Sequence, residues 1–272
     1  MKSFCRRARR QGKTIGFVPT MGYLHEGHLS LIRCCRREND YVVASIFVNP
    51  SQFGLKEDFR RYPRNFKRDS CLAQEAGVDV LFCPRVSDIY PPGYRTYVIV
   101  EDLSQRLCGA FRPGHFRGVA TVVLKLFNII GPQRAYFGQK DAQQAVIIDR
   151  MKADLNLGVK IRILPIVRGR SGLALSSRNS YLNRQQTEQA AILYKALQTA
   201  VGMVKSGQKD PRKITARMRK IIKASSIARI QYIRIVDLET LKQVKRIKGN
   251  LLIALACFFK NVRLIDNVIL KV

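Results

Sequence analysis

The sequence predicts an α/β protein: a doubly wound parallel sheet followed by a smaller C-terminal α+β domain. Two patterns carry this reading. Through the first two-thirds of the chain, short β-branched runs alternate with helical stretches, which implies parallel strands with helices on both faces. In the last third the order changes to helices and then three strands. A third observation is the hydrophobic content, 46% of 272 residues, which is enough to build a large core.

Taken in order, residues 15–18 read as a buried strand, followed by a glycine-rich turn and an apolar helix from about Leu29. Residues 41–48 and 78–82 are the next strands, the second after a helix over 70–76. A helix over 116–130, a strand over 134–137, a helix over 141–154 and a strand over 160–165 complete the alternation. Beyond them come a helix over 184–205, a turn cluster over 206–211, a basic helix to about Lys223, and strands near 230–236, 251–259 and 262–269. Glycines and charges break the pattern in 167–172, so the domains are placed at 1–168 and 169–272.

Lys and Arg number 49 against 19 Asp and Glu, a net charge of +30. Such a surplus points to nucleic acid or an anionic surface. Here the cations are spread over 6–10, 33–37, 60–68, 160–170, 205–223 and 242–248. No arm or tail collects them, so they read as a solvated basic surface, with adventitious nucleic-acid contact as the sharper alternative. No apolar run is long enough to span a membrane, and no apolar segment follows the basic N-terminus as a secretory signal requires. Cytoplasmic residence is the default expectation. The seven cysteines contain no C-x-x-C pair and read as reduced thiols that pack as small hydrophobes. With only three histidines, no structural zinc site is expected.

The strongest chemical signal is Gly16-Phe-Val-Pro-Thr-Met-Gly-Tyr-Leu-His-Glu-Gly-His28, which joins the first strand to a helix. Glycine permits close backbone approach to a phosphate, and a helix N-terminus offers free N–H groups. His25 and His28 add two donors for phosphate oxygens and for charge that develops on them. Capping or packing is the plainer use of two loop histidines, but two of only three sit at this turn. A second block, Ser45-Ile-Phe-Val-Asn-Pro-Ser-Gln-Phe-Gly54 with Tyr62-Pro-Arg64, lies at a strand's carboxyl end, where open α/β sheets bind ligands. Asn49, Gln52 and Tyr62 offer neutral polar groups there. A third, Tyr136-Phe-Gly-Gln-Lys-Asp-Ala-Gln-Gln144, again joins strand to helix. Lys140 suits phosphate as a point charge, Asp141 sits at a capping position, and Gln144 shares their helix face. A fourth, Leu173-Ala-Leu-Ser-Ser-Arg-Asn179, sets adjacent hydroxyls beside an arginine as a phosphate clamp.

The H-x-G-H turn is the nucleotidyltransferase signature. The longer string around it resembles the pantothenate synthetase family nearly residue for residue, and the likeness runs over almost the whole chain. The resemblance implies a Rossmann-like domain over 1–168 that binds ATP and pantoate, and a lid over 169–272. It implies condensation of pantoate with β-alanine, driven by ATP through a pantoyl adenylate. His25, His28, Lys140, Ser176, Ser177 and Arg178 would be catalytic. ATP would meet Pro19, Thr20, Met21, Gly22 and His28 on one side. Gly138, Lys140 and Asp141, then Val167, Leu175, Ser176, Ser177 and Arg178, would complete its site. Pantoate would meet Met21, Asn49, Gln52, Tyr62 and Gln144. Arg112 and His115 match positions near the site. Mg²⁺ is expected on the phosphates with no side chain assigned to it, and a homodimer is expected with no membrane or specific nucleic-acid partner.

One departure stands out. The family usually reads Val-Arg-Glu-x-Asp-Gly before the Ser-Ser-Arg loop, whereas residues 167–172 are Val-Arg-Gly-Arg-Ser-Gly, and Leu175 replaces a common methionine. The lost acids bear on how this loop folds and meets the nucleotide. Two other classes share features. A different small-molecule nucleotidyltransferase would keep the H-x-G-H turn without the Gln52/Gln144 pair. A nucleic-acid-binding protein on this fold would need a continuous basic groove and salt-sensitive binding.

Overall fold

The structure, a computed structural model, describes residues 1–55 and 57–272. The first domain holds a five-stranded sheet in the order β3-β2-β1-β4-β5, formed by β1 (Ile15–Thr20), β2 (Tyr41–Ile46), β3 (Val80–Phe82), β4 (Arg134–Gly138) and β5 (Lys160–Leu164). Every pairing in it is parallel. The chain winds outward from β1 to β3, then returns to place β4 on the other side of β1. The crevice between β1 and β4 is therefore the switch point at which such sheets bind ligands. Its opening is visible in the ladder. β1 pairs with β2 over six residues but with β4 over only Gly16 and Phe17, so the two strands part before their carboxyl ends.

Six helices flank this sheet: α1 (Lys2–Arg10), α2 (Glu26–Glu38), α3 (Phe66–Glu75), the short α4 (Val86–Ile89), α5 (His115–Ile130) and α6 (Ala142–Asp154). The expected strands and long helices all appear. α2 starts three residues before the expected Leu29, because His25 caps it. α3 starts at Phe66, four residues before the expected 70, because the Asn65 side chain accepts the Arg68 N–H (3.1 Å). α1 was not foreseen. Its basic residues mask a stripe of Phe4, Cys5 and Ala8 that packs on the first core.

The second domain places α7 (Arg184–Ala190), α8 (Ile192–Lys205) and α9 (Pro211–Ile222) on an antiparallel sheet of β6 (Ala228–Asp237), β7 (Asn250–Phe259) and β8 (Val262–Lys271). The single helix expected over 184–205 is two, because Ala191 bonds back to Glu188 in a tighter turn and interrupts the ladder. β7 is apolar almost throughout because both of its faces are covered. Ile233, Ile235 and Ile253 face α8 and α9 in a second core, while Tyr232, Leu252 and Ala254 face the first domain. The two layers thus enclose a cleft. Among the described residues no helix is long and apolar enough to cross a membrane. All seven cysteines are free, and four of them are buried.

Candidate active site

The turn after β1 is held from outside itself. Gly22 and Tyr23 both have positive φ, 83° and 51°. The fully buried carboxylate of Asp69, on α3, accepts the N–H groups of Tyr23 (2.7 Å) and Leu24 (2.8 Å). Thr20 Oγ1 donates to the Ser45 carbonyl and accepts from Gly22 N–H. This clamp delivers His25 to the N-cap of α2. His25 Nδ1 accepts from Gly27 N–H (3.2 Å), and His28 Nδ1 accepts from His25 N–H (3.4 Å). Both Nδ1 atoms are therefore unprotonated, and in the neutral rings the proton must sit on Nε2. Burial pushes His25 down to about 2, helped by His28 and Lys140, and burial with Lys140 pushes His28 down to about 4. The turn thus presents two neutral imidazoles whose Nε2–H groups are free of the backbone.

Opposite, β2 leads into a 3₁₀ turn over Pro50–Gln52. Asn49 is 1% exposed, and its amide is fully engaged: Nδ2 donates to Gln52 Oε1 and the Gly118 carbonyl, while Oδ1 accepts from Ser51 and Tyr90. Asn49 lines the cavity but positions Gln52 rather than offering a free polar atom. Gly118 of α5 lies so close that an added Cβ would stand 2.3 Å from the Ser51 carbonyl oxygen. The Gln52 carbonyl accepts from His115 Nδ1 (2.7 Å) and Arg112 (3.3 Å), and Arg112 is paired with Glu57. His115 accepts from Arg112 through Nε2 (3.0 Å), which fixes its neutral tautomer. Burial and Arg112 push its pKa down to about 3.

After β4, a 3₁₀ turn over Gln139–Asp141 feeds α6. Asp141 occupies the N-cap of α6 but makes no capping bond, and its carboxylate lies 3.6 Å from Lys140 Nζ. Asn267 on β8 donates to the carbonyls of Gln139 and Lys140 (both 2.9 Å), so the second domain pins this turn.

The loop over 167–172, which lacks the two acids, is held from β8 and from the segment after it. Arg168 forks both oxygens of the buried Asp266 (2.7 and 3.0 Å) and lies over the Tyr194 ring at 4.0 Å. The Leu175 N–H bonds back to the Val167 carbonyl. Beyond it, Ser176 caps a short 3₁₀ turn, Ser177 Oγ donates to the Tyr23 carbonyl (3.2 Å), and Arg178 forks Asp58 (2.9 and 2.8 Å). The Tyr62 phenol, raised by burial, lies under Arg178.

All of these groups converge. A cavity of about 210 Å³ is walled by Pro19, Thr20, Met21, His25 and His28 from the first turn and by Asn49, Gln52 and Tyr62 from the second. Gly138, Lys140, Asp141 and Gln144 form its third side, with Val167, Leu175, Ser176, Ser177 and Arg178 across the top. Of the expected residues, Gly22 alone is not in this wall. Its part is the turn itself, where a Cβ would stand 2.9 Å from Ile46. A larger cavity of about 620 Å³ between the two domains shares Lys140, Asp141, Gln144, Ser176 and Arg178, so the two form one cleft. Asp58 is not among the expected site residues; Asp69 resembles part of an acidic patch near the family's metal with no ligand role assigned to it, and the stretch with Asp266 and Asn267 is family-like but speaks to the fold rather than to the chemistry. Their supporting contacts carry no sequence signal, because each holds a residue far away in the chain.

The family model described as Pantoate-beta-alanine ligase matches residues 1–269. Curated relatives named pantothenate synthetase include one from Acetivibrio thermocellus, 54% identical over 272 residues, which are 100% of this chain and 97% of that protein. The chain belongs to the pantoate-beta-alanine ligase family. Another family relative, from Thermosipho melanesiensis, is 56% identical over 95% of this chain and 92% of its own. The crystal structure of pantothenate synthetase from Thermus thermophilus superposes with a TM-score of 0.92 at 46% identity, covering 97% and 96% of the two chains. The pantoate-beta-alanine ligase of Francisella tularensis, solved with beta-gamma ATP and beta-alanine, gives a TM-score of 0.79 at 37% identity over 98% and 94%. The ligase family thus accounts for both layers of the fold.

Proposed function

We propose that this ligase condenses pantoate with β-alanine through a pantoyl adenylate. The observation that carries the reading is the shared cavity. His25, His28, Lys140, Gln52 and Gln144 all line it, which supports a phosphate site and a neutral polar site in one space. In the first step a carboxylate oxygen of pantoate attacks the α-phosphorus of ATP, and the bond to pyrophosphate breaks. In the second the amine of β-alanine attacks the acyl carbon, and the bond to AMP breaks. Gln52 and Gln144 orient the hydroxylated acid. The Nε2–H groups of His25 and His28, with Lys140, donate to the phosphate oxygens where negative charge gathers. Ser176, Ser177 and Arg178 cover the outer phosphates, and Pro19, Thr20, Met21, Gly22, Gly138, Asp141, Val167 and Leu175 shape the nucleotide site. No covalent enzyme intermediate is required, since holding two reactants in line supplies much of the rate.

Mg²⁺ held on the ATP phosphates would supply neutralisation of their charge, a role that needs few protein ligands. The side chains fit that role better than a resident site. Among the described residues no three His, Cys, Asp or Glu side chains gather, and Asp69 is engaged by two backbone N–H groups. In this reading residues 169–272 act as the lid, anchored through Asp266 and Asn267, and the enzyme works in the cytoplasm as a homodimer. Light scattering on the purified chain tests the last point.

Pantoate-dependent exchange between ATP and pyrophosphate tests the chemistry. Exchange with pantoate alone, diverted to AMP and pantothenate by β-alanine, is the expected result. Exchange that ignores pantoate but responds to another acid would assign the site to a different adenylating reaction.

A further inference from the structure

The cleft chemistry uses Lys140 and Arg178 out of 49 Lys and Arg, and part of the remaining charge is concentrated on one surface. α9 buries Ile214, Met218 and Ile222 and turns Lys213, Arg217, Arg219, Lys220 and Lys223 to solvent. Beside its N-terminus, the connection between β6 and β7 adds the exposed Lys245, Arg246 and Lys248. The two are tied together, since the Ile247 N–H donates to the Lys209 carbonyl (3.0 Å). The single acid in segments 205–223 and 242–248 is Asp210, which caps α9 and pairs with Arg212. Among the described residues no ion pair neutralises the other cations of the patch.

Like charges at spacings of three and four along a helix repel and weaken it. The row at 213, 217 and 220 is therefore a local cost to the fold, and a polyanion laid across it would remove that cost. From residue 212 to 223 the helix extends about 16 Å, long enough to meet several phosphates along a strand. A membrane surface fits less well. A surface-bound helix inserts its apolar face, but that of α9 is covered by the second core, and none of the exposed large hydrophobics falls in these segments.

We propose that the exposed face of α9 and the 245–248 segment bind the phosphodiester backbone of nucleic acid without sequence preference. The sheet separates this face from the cleft. Ile233 and Ile253 point to α8 and α9, while Tyr232, Leu252 and Ala254 wall the cleft. Bound nucleic acid therefore leaves the ligase site open.

The test is fluorescence anisotropy of the full chain with a labelled single-stranded RNA of about 20 nucleotides, and in a second arm duplex DNA, at about 50 to 200 mM salt. Affinity should fall steeply with salt. K213E/R217E/K220E, and separately K245E/R246E/K248E, should weaken binding by at least about 10-fold and reduce the salt slope by about two. Gln replacements at the same positions, milder for folding, should show the same order with helical content unchanged. K2E/R6E/R10E on α1 carries the same charge change and should bind like the parent. The proposal fails if the patch variants bind unchanged, if the α1 variant weakens equally, or if anionic vesicles are bound and RNA is not. Whichever of the RNA and DNA arms binds more tightly identifies the source of the backbone.

Discussion

Arg178 and Asp58 lie 120 residues apart and meet in a two-pronged ion pair, 2.9 and 2.8 Å, at the edge of the cleft. The pair ties the Ser-Ser-Arg segment to the segment before Tyr62, and so joins the expected phosphate clamp to the expected acid site. Both side chains are mostly buried, at 26% and 17% exposure. Arg178→Ala should lower kcat/KM for ATP by about 100-fold. Asp58→Asn, which leaves the guanidinium unpaired, should cost about 2 kcal/mol. Calorimetry would show that as a drop in Tm of about 5 °C. A Tm unchanged in Asp58→Asn would mean the pair contributes nothing to the fold.

All three histidines are held below their ordinary pKa of 6.5, at about 2, 4 and 3 for His25, His28 and His115. The sign follows from linkage. As pH falls below 6.5 the unfolded chain takes up protons that the folded chain refuses, so stability is full above that pH and lost below it. Three such groups give a slope of up to about 4 kcal/mol per pH unit between pH 6 and 4.5. Tm should therefore fall steadily from pH 7 to 5. Adenylate formation over pH 6 to 7 should show no limb from histidine protonation, and a limb near 6.5 would contradict the neutral pair.

The Gly118 contact with Ser51 predicts a local effect on the acid site. Gly118→Ala forces a Cβ to within 2.3 Å of the Ser51 carbonyl and must displace the turn that carries Gln52. Displacement by about 1 Å costs about 100-fold when reactants must be held in line. The expected signature is a raised KM for pantoate with the KM for ATP little changed. Equal effects on both would point to general unfolding of the site.

The loop over residues 167–172, which lacks the two acids, is tied to β8 by Arg168 and Asp266. Asp266 is 2% exposed and accepts both prongs of Arg168. Asp266→Ala should cost about 3 kcal/mol by leaving that arginine without its partner, and activity should fall as the loop loosens. Gly169→Glu, where a Cβ meets nothing closer than 3.8 Å, should be tolerated and change activity less than twofold, about 0.4 kcal/mol. Steady-state rates and Tm of the two variants decide the matter.

The local sequence determined much of this protein. Alternating β-branched runs determined the parallel sheet, because strand period and buried crossovers leave their mark within a few residues. Strand-to-helix turns at residues 16–28 and 136–144 pointed to the candidate site, and both line its cavity, since phosphate binding needs glycine and a helix start at one place in the chain. Tertiary structure alone decided how those residues are held. Asp69 fixes the tautomer-bearing turn, Asn49 turns inward to set Gln52, and Asp58 and Asp266 take up Arg178 and Arg168. Asn49 lies inside a sequence block and its bond to Gln52 is local, but its bond to the Gly118 carbonyl, like the contacts of Asp69, Asp58 and Asp266, closes over dozens of residues and has no local period to read. The break at Ala191 and the apolar stripe of α1 were hidden for a related reason. Packing against distant elements decided both, overriding the helical pattern in one case and the run of charge in the other.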